Sequence, residues 1–322
     1  MKIIAEFCQN HNGDPAILAE MIDAAAAAGA TYGKIQTIYA DDLVYRPQFE
    51  EGLVVGEITQ SIKRPYRPEY ERLRGLEISA DQSRDFVRRC EAAHLIPMTT
   101  CFTRAHVGPL RDIGFKSIKV ASYDCGSYPM LRELQSSFDE IIVSTGASFD
   151  DEIRHASETL DGSNFAFLHC VTIYPTPLSE THLDRMAFLR ELSPRVGFSD
   201  HSLVRRDKII AAKAATVLGA ELVERHFTIL PEDQTRDGPV SITPALLAEL
   251  TAFASCTKDD QYAALDDEHP NWRETIGGRQ RALSDAELLN RDYYRGRFGS
   301  TRPGYKPGTA TVFNWEETPL AP

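Results

Sequence analysis

The chain has 322 residues, of which 42% are hydrophobic, 25% charged and 9% aromatic. That composition supports one large globular domain or two modest ones and excludes disorder as the main state. Lys+Arg 35 against Asp+Glu 47 leaves a formal net charge of -12, which argues against a nucleic-acid or anionic-membrane partner, so an anionic substrate would need a locally basic pocket within an acidic shell.

The opening Met1-Lys2-Ile3-Ile4-Ala5-Glu6 is too short and too acidic to read as a signal peptide, and no apolar run is long enough to span a bilayer. The first β-strand is predicted at 3–8. Asp14 as N-cap and Pro15 in the first turn then open an Ala-rich helix over 15–29. A second strand at 34–38 leads into a long excursion, 38–78, rich in Pro, Arg, Tyr and Glu. A long loop after a barrel strand lies over the mouth, so this insertion is a candidate lid. Ser79, with Gln82 three residues on, caps a helix that runs to Ala93. Strands at 96–102, 117–122, 140–145, 165–172, 196–200 and 221–227 then alternate with helices at 104–113, 128–135, 149–160, 182–192, 205–218 and 243–253. The strands are continuous β-branched or aromatic runs, as strands buried on both faces are.

About eight such units over roughly 250 residues give the rhythm of an α/β (β/α)8 TIM barrel, and no GxGxxG follows the first strand to favour a doubly wound open sheet. Residues 1–256 are therefore expected to form a catalytic barrel and 257–322 an irregular C-terminal extension. The extension carries a basic-aromatic stretch, Tyr293-Tyr294-Arg295-Gly296-Arg297-Phe298, and is expected to pack on the barrel or on a partner subunit. The six cysteines (Cys8, Cys90, Cys101, Cys125, Cys170, Cys256) are scattered without a CxxC pair. They read as reduced thiols of a cytoplasmic protein, several of them small hydrophobes in apolar runs, with no disulfide and no zinc-ribbon site.

Catalytic residues of a barrel stand at the C-terminal ends of its strands. Those ends carry Glu6, Lys34, Gln36, Thr100, Lys119, Ser122, Ser144-Thr145-Gly146, His169, Thr172, Tyr174, Ser199-Asp200-His201 and Glu224-Arg225-His226. Buried Lys and Glu are costly unless paired, so a ring of polar strand ends reads as an active site. Lys34 and Lys119 in one mouth would hold an anion with more than one negative group, and Ser122, Ser144 and the Ser-Thr-Gly turn add hydroxyls and N–H groups. His201 and His226, on the last two strands, suit a divalent metal with open positions. His169 reads as a packing residue. The lack of an HxH after the first strand disfavours a zinc amidohydrolase type of barrel.

Seven segments in order carry a resemblance. They are Ile3-Ile4-Ala5-Glu6 with Asn10-His11-Asn12-Gly13-Asp14, Lys34-Ile35-Gln36-Thr37, Ile118-Lys119-Val120-Ala121-Ser122, Ser144-Thr145-Gly146, Leu168-His169-Cys170 with Tyr174-Pro175-Thr176-Pro177, Ser199-Asp200-His201-Ser202, and Glu224-Arg225-His226-Phe227-Thr228. Over roughly residues 1–255 the chain thereby resembles the sialic acid synthase family, which condenses phosphoenolpyruvate (PEP) with a free N-acylated hexosamine to make nonulosonic acids.

The resemblance implies that Lys34, Thr100, Lys119, Ser122, Ser144, Thr172 and Ser199 hold PEP, and that His201 and His226 hold Mn2+ or Mg2+. It places Glu6, Gln36, Tyr174 and Asp237 on the acceptor sugar and Asp124 close to the PEP. Glu6 and Asp124 are alternative bases for the water that captures C2 of PEP. It also implies a homodimer, with PEP and an aldose as the partners.

Three departures stand out. Tyr123 occupies a position where the family commonly has glycine. Thr99-Thr100-Cys101-Phe102 replaces the usual Ser-Thr-Pro-Phe. Thr235-Arg236-Asp237-Gly238-Pro239-Val240 puts an arginine near the sugar. The family's antifreeze-like domain, which lends an arginine across the dimer to the N-acyl group, finds no match in 257–322. Either Arg295 or Arg297 replaces that arginine, or the acceptor lacks the N-acyl group. A phosphorylated or non-N-acylated acceptor is the enzyme alternative, and a non-catalytic sugar-binding barrel the alternative of another class.

Overall fold

The computed structural model describes residues 1–320. Eight parallel strands close into a barrel: β1 (Lys2–Cys8), β2 (Tyr32–Gln36), β3 (Ile96–Thr100), β4 (Ser117–Val120), β5 (Glu140–Ser144), β6 (Phe165–His169), β7 (Val196–Asp200) and β8 (Leu222–His226). Each pairs with its neighbours in sequence, and β8 closes the ring on β1 with Ile4 opposite Glu224 and Glu6 opposite His226. The predicted (β/α)8 barrel is the observed one. Four strands end two or three residues earlier than expected, β2 at Gln36, β3 at Thr100, β4 at Val120 and β6 at His169, because the chain there peels away into loops over the mouth.

The period of two sorts the strand residues into two faces. Phe7, Val143, Phe167, Phe198 and Val223 point outward into the apolar shell made with the helices. Helix Pro15–Ala27 is capped by Asp14, which accepts from the Ala16 N–H at 2.8 Å, and helix Ala80–Ala92 by a reciprocal Ser79–Gln82 box. Inward residues stack in layers, as in other barrels of this kind. A polar bottom layer holds Tyr32, Ser117 and Glu140. Above it lies an apolar plug that includes Ile4, Met98, Ile142, Leu168 and Leu222. Gly197 of β7 sits where any Cβ would collide with the Leu222 carbonyl, so this plug closes only over a glycine. The third layer, at the C-terminal mouth, is again polar.

The insertion after β2 forms an exposed hairpin (Leu53–Val55 with Ile58–Ser61) and a helix, Tyr66–Arg74. Beyond the last barrel helix, Pro244–Ser255, the extension adds helices Lys258–Glu268 and Asp285–Tyr294. The latter lies against the mouth: Asn290 Nδ2 donates to the Thr172 carbonyl at 2.7 Å and Arg291 to the Ala147 carbonyl at 2.6 Å. The chain then joins the insertion, with the Val44 N–H donating to the Arg297 carbonyl at 2.9 Å and the Gly299 N–H to the Asp42 carbonyl at 3.0 Å. The extension thus packs on its own barrel. Among the described residues no helix is long and apolar enough to cross a membrane.

Candidate active site

The mouth layer is built by register. Glu6 stands opposite Lys34 across β1–β2, and the two form a buried ion pair. Lys34 Nζ also lies 3.3 Å from Glu224, whose other oxygen accepts from Ser199 Oγ at 2.8 Å. Lys119 Nζ donates to Ser144 Oγ at 2.5 Å and to the Val120 carbonyl at 3.0 Å. Burial pulls Lys34 down to about 8; Glu224 opposes that and the neighbouring Lys119 reinforces it. Burial would raise the Glu224 carboxyl, but Lys34 and Lys119 together outweigh it and hold the group ionised. Two ammonium groups therefore converge in one buried layer, partly balanced by carboxylates that a bound anion could replace.

The turn after β5 bears on this layer. A Cβ at Gly146 would meet Cys170 Sγ at 2.5 Å and Thr172 Cγ2 at 2.7 Å, so glycine lets the loop after β6 lie directly on the Ser-Thr-Gly turn. That contact brings Thr172, whose buried Oγ1 has no partner, beside the turn, and places Ser122 Oγ 3.0 Å from Cys170 Sγ.

His201 and His226 stand just above, with ring centroids 5.3 Å apart, and Nδ1 of each is buried without a hydrogen-bond partner. Burial, then the facing His226, pushes His201 well below the ordinary imidazole range, which leaves it neutral and able to ligate. The Tyr174 ring covers His201 at 4.2 Å. Asp237 Oδ2 lies 3.6 Å from His226 Nδ1 and accepts from Cys8 Sγ at 2.7 Å. One ligand atom from each of Cys8, His226 and Asp237 falls within 4.8 Å of the others. Buried, unpartnered imidazole nitrogens beside a carboxylate are a donor set that fits a divalent cation.

A cavity of about 400 Å³ opens over this cluster, lined by Gln36, Tyr174, His226 and Asp237 from the barrel. The insertion adds Arg64, Glu69 and Arg72, and the extension Asn290, Tyr294 and Arg297. Tyr294 stacks on Tyr123 with centroids 5.0 Å apart, so the ring that replaces the family glycine is used as a wall. Glu69 collects Arg72 at 2.9 Å, Arg236 at 3.7 Å and Arg297. Burial would raise its carboxyl, but these guanidinium groups outweigh that and hold it at about 2.

Of the residues singled out in the sequence, Glu6, Lys34, Lys119, Ser144 and Ser199 share one layer, with His201 and His226 above it. Thr100, at the end of β3, faces inward beside Lys119, and Gln36, Tyr174 and Asp237 line the cavity. Asp124 does not join them. Its Oδ1 accepts from Asn314 Nδ2 at 2.9 Å and Ser127 Oγ at 3.0 Å, which turns it toward the C-terminal segment. The tail arginines also separate: Arg297 lines the cavity, whereas Arg295 pairs with Glu152 at 2.7 Å and lies over Trp315. His169 faces outward and its Nε2 bonds the Thr181 carbonyl at 2.7 Å. Sequence reasoning missed Cys8, Glu69, Arg72 and Asn290, and gave Glu224 no role. For Glu224 the signal was present: it alternates with His226 on one strand and must face the same way.

A closed (β/α)8 barrel with ionised groups, paired imidazoles and a basic cavity at the C-terminal mouth defines an enzyme-type barrel fitted to anionic ligands. The comparisons narrow this. The model of the NeuB family matches residues 21–259, and the chain belongs to that family. It is 30% identical over 241 residues to an uncharacterized protein of Methanocaldococcus jannaschii, covering 74% of this chain and 64% of that protein. It is 29% identical over 251 residues to the N,N'-diacetyllegionaminic acid synthase of Campylobacter jejuni, covering 74% and 69% respectively. The chain thus spans about two thirds of the length of the curated relatives it matches. The crystal structure of N-acetylneuraminic acid synthetase from Leptospira borgpetersenii, solved with citrate, superposes with a TM-score of 0.65 at 25% identity, covering 90% of each chain.

Proposed function

We propose that this protein condenses PEP with the aldehyde of an open-chain amino sugar, giving a nonulosonic acid and inorganic phosphate. The convergence of Lys34 and Lys119, with Ser144 and Ser199, beneath the His201–His226 pair carries this reading. Two ammonium groups match the phosphate and carboxylate of PEP, and binding substitutes those anions for Glu6 and Glu224 as counter-charges. The cavity above presents the aldehyde carbon to C3 of PEP, the orientation on which bond formation depends. A divalent cation held by His201 and His226 would polarise the aldehyde oxygen. The electron pair of the PEP double bond forms the new C–C bond, water adds to C2, and the adduct expels phosphate with its bridging oxygen. Glu6 belongs to the layer where that water must be deprotonated, while Asp124 is engaged by Asn314 and Ser127, so Glu6 is the base in this reading.

A second reading concerns the acceptor. Arg64, Arg72, Arg236 and Arg297 line the cavity against the carboxylates of Glu69 and Asp237, a local positive excess in a chain of net charge -12. That balance favours an acceptor with an anionic group such as a sugar phosphate. Phosphate release from PEP with Mn2+ or, in parallel, Co2+ and N-acetylmannosamine, mannose or their 6-phosphates tests both readings. Release with any of these aldoses supports condensation, and a preference for the phosphorylated pair supports the anionic acceptor. No release with any sugar in the set counts against condensation as stated here.

A further inference from the structure

Cys8 ends β1 in a backbone conformation that a side chain resists. Its φ is +41°, in the left-handed region that glycine enters freely and other residues enter at a cost. The β1–β2 register slips at this point, from Glu6 opposite Lys34 to Cys8 opposite Ile35. Bulges of this kind re-aim a side chain beside a functional site, and strain held at such a place points to a use for the group it carries. Here the group delivered is Sγ, fully buried and 2.7 Å from Asp237 Oδ2. The same carboxylate oxygen lies 3.6 Å from the buried Nδ1 of His226, which has no hydrogen-bond partner. His201, with its own unpartnered Nδ1, packs on His226 with ring centroids 5.3 Å apart.

We infer that Cys8 is a thiolate ligand of the metal centre, which it completes with His226, Asp237 and His201. The inference rests on reading this cluster as the metal centre; it does not depend on the acceptor or on the condensation chemistry. On binding of a divalent cation the Cys8 thiol would release to solvent the proton it now donates to Asp237, leaving thiolate, carboxylate and imidazole as the ligands. A sulfur donor changes the metal that the site selects. Thiolate and imidazole together suit Zn2+, Fe2+ and Co2+, whereas Mg2+ requires oxygen ligands and keeps its water. The resemblance implies Mn2+ or Mg2+ at the two histidines; a sulfur donor beside them shifts the preference toward thiophilic ions.

The test is titration of the full chain with Co2+, read by near-ultraviolet absorption, beside Cys8→Ser and Cys8→Gly. The glycine variant suits the left-handed backbone and keeps the experiment available if serine disturbs folding. The wild-type protein should show a sulfur-to-cobalt charge-transfer band. Both variants should lose that band while retaining the weaker visible bands of cobalt bound by nitrogen and oxygen. Competition should show Mg2+ failing to displace Co2+ from the wild-type protein. Visible bands without a sulfur band in the wild-type spectrum would overturn thiolate ligation and leave a centre of nitrogen and oxygen donors. No cobalt binding by the wild-type chain would overturn the centre itself. Neither result bears on whether PEP and an aldose condense, which phosphate release reads separately.

Discussion

The barrel has two buried polar layers, one on each side of the same apolar plug, and they are wired differently. At the bottom, Glu140 accepts from Tyr32 at 3.1 Å, Ser117 at 2.6 Å and Arg195 at 2.8 Å. Its donors converge on one carboxylate, and no atom of the four side chains is left buried without a partner. At the mouth, Lys34 and Lys119 also find partners, but Nδ1 of His201, Nδ1 of His226 and Oγ1 of Thr172 do not. An unsatisfied buried polar group costs about 1–3 kcal/mol, so the mouth keeps a set of groups that a ligand can satisfy. Burying charge in a barrel is therefore not itself a sign of function; of these two layers, only the one at the mouth leaves imidazole and hydroxyl groups for a ligand to satisfy.

This contrast can be broken most forcefully at Lys119. Lys119→Met should lower kcat/KM for PEP on the order of 10³-fold while leaving the urea midpoint nearly unchanged, because the ligand site and not the scaffold loses its charge. Equal losses of stability and turnover would erase the distinction between the layers. The reverse experiment is Glu140→Ala, which strands Arg195, Tyr32 and Ser117 and should cost about 3 kcal/mol in urea unfolding with turnover per folded molecule unchanged. Lost turnover in the fully folded variant would give the bottom layer a role that the geometry denies it.

Titration sharpens the comparison with smaller effects. Lys34 faces Glu6, Glu224 and Lys119 and loses its proton as pH rises through about 8, so KM for PEP should rise above that pH. Lys34→Arg should move that limb to higher pH, since arginine stays charged throughout. The smallest effect is at Asp124. Burial, opposed by Asn314 and Ser127, raises its carboxyl from 3.8 to about 6. Between those values the folded state binds more protons than the unfolded chain, so this group makes stability fall as pH rises through the window. Asp124→Asn should flatten that part of the stability profile and leave turnover in place; loss of turnover would return Asp124 to the reaction.

The barrel was legible because parallel strands buried on both faces read as continuous apolar runs, and helix starts carry caps such as Asp14 and Ser79. Strand parity is legible too: Glu224 and His226 must share a face, and His169 must leave it. Other features depend on contacts that no local pattern encodes. Cys8 sits in an apolar run and reads as a small hydrophobe until a register slip and Asp237, 229 positions away, give its sulfur a partner. Asp124 is drawn off by Asn314, 190 positions away. Arg295 and Arg297 flank Gly296, whose φ of +74° reverses the chain and sends one guanidinium to Glu152 and the other to the mouth.

PEP labelled isotopically at its bridging oxygen gives the most direct test of the central claim. Incubated with the protein, a divalent metal and an accepted aldose, it should release phosphate that carries the label, and release should require the aldose. Label retained on the carbon product, or phosphate released at the same rate without any sugar, would contradict an account in which the mouth layer holds PEP for attack by C3.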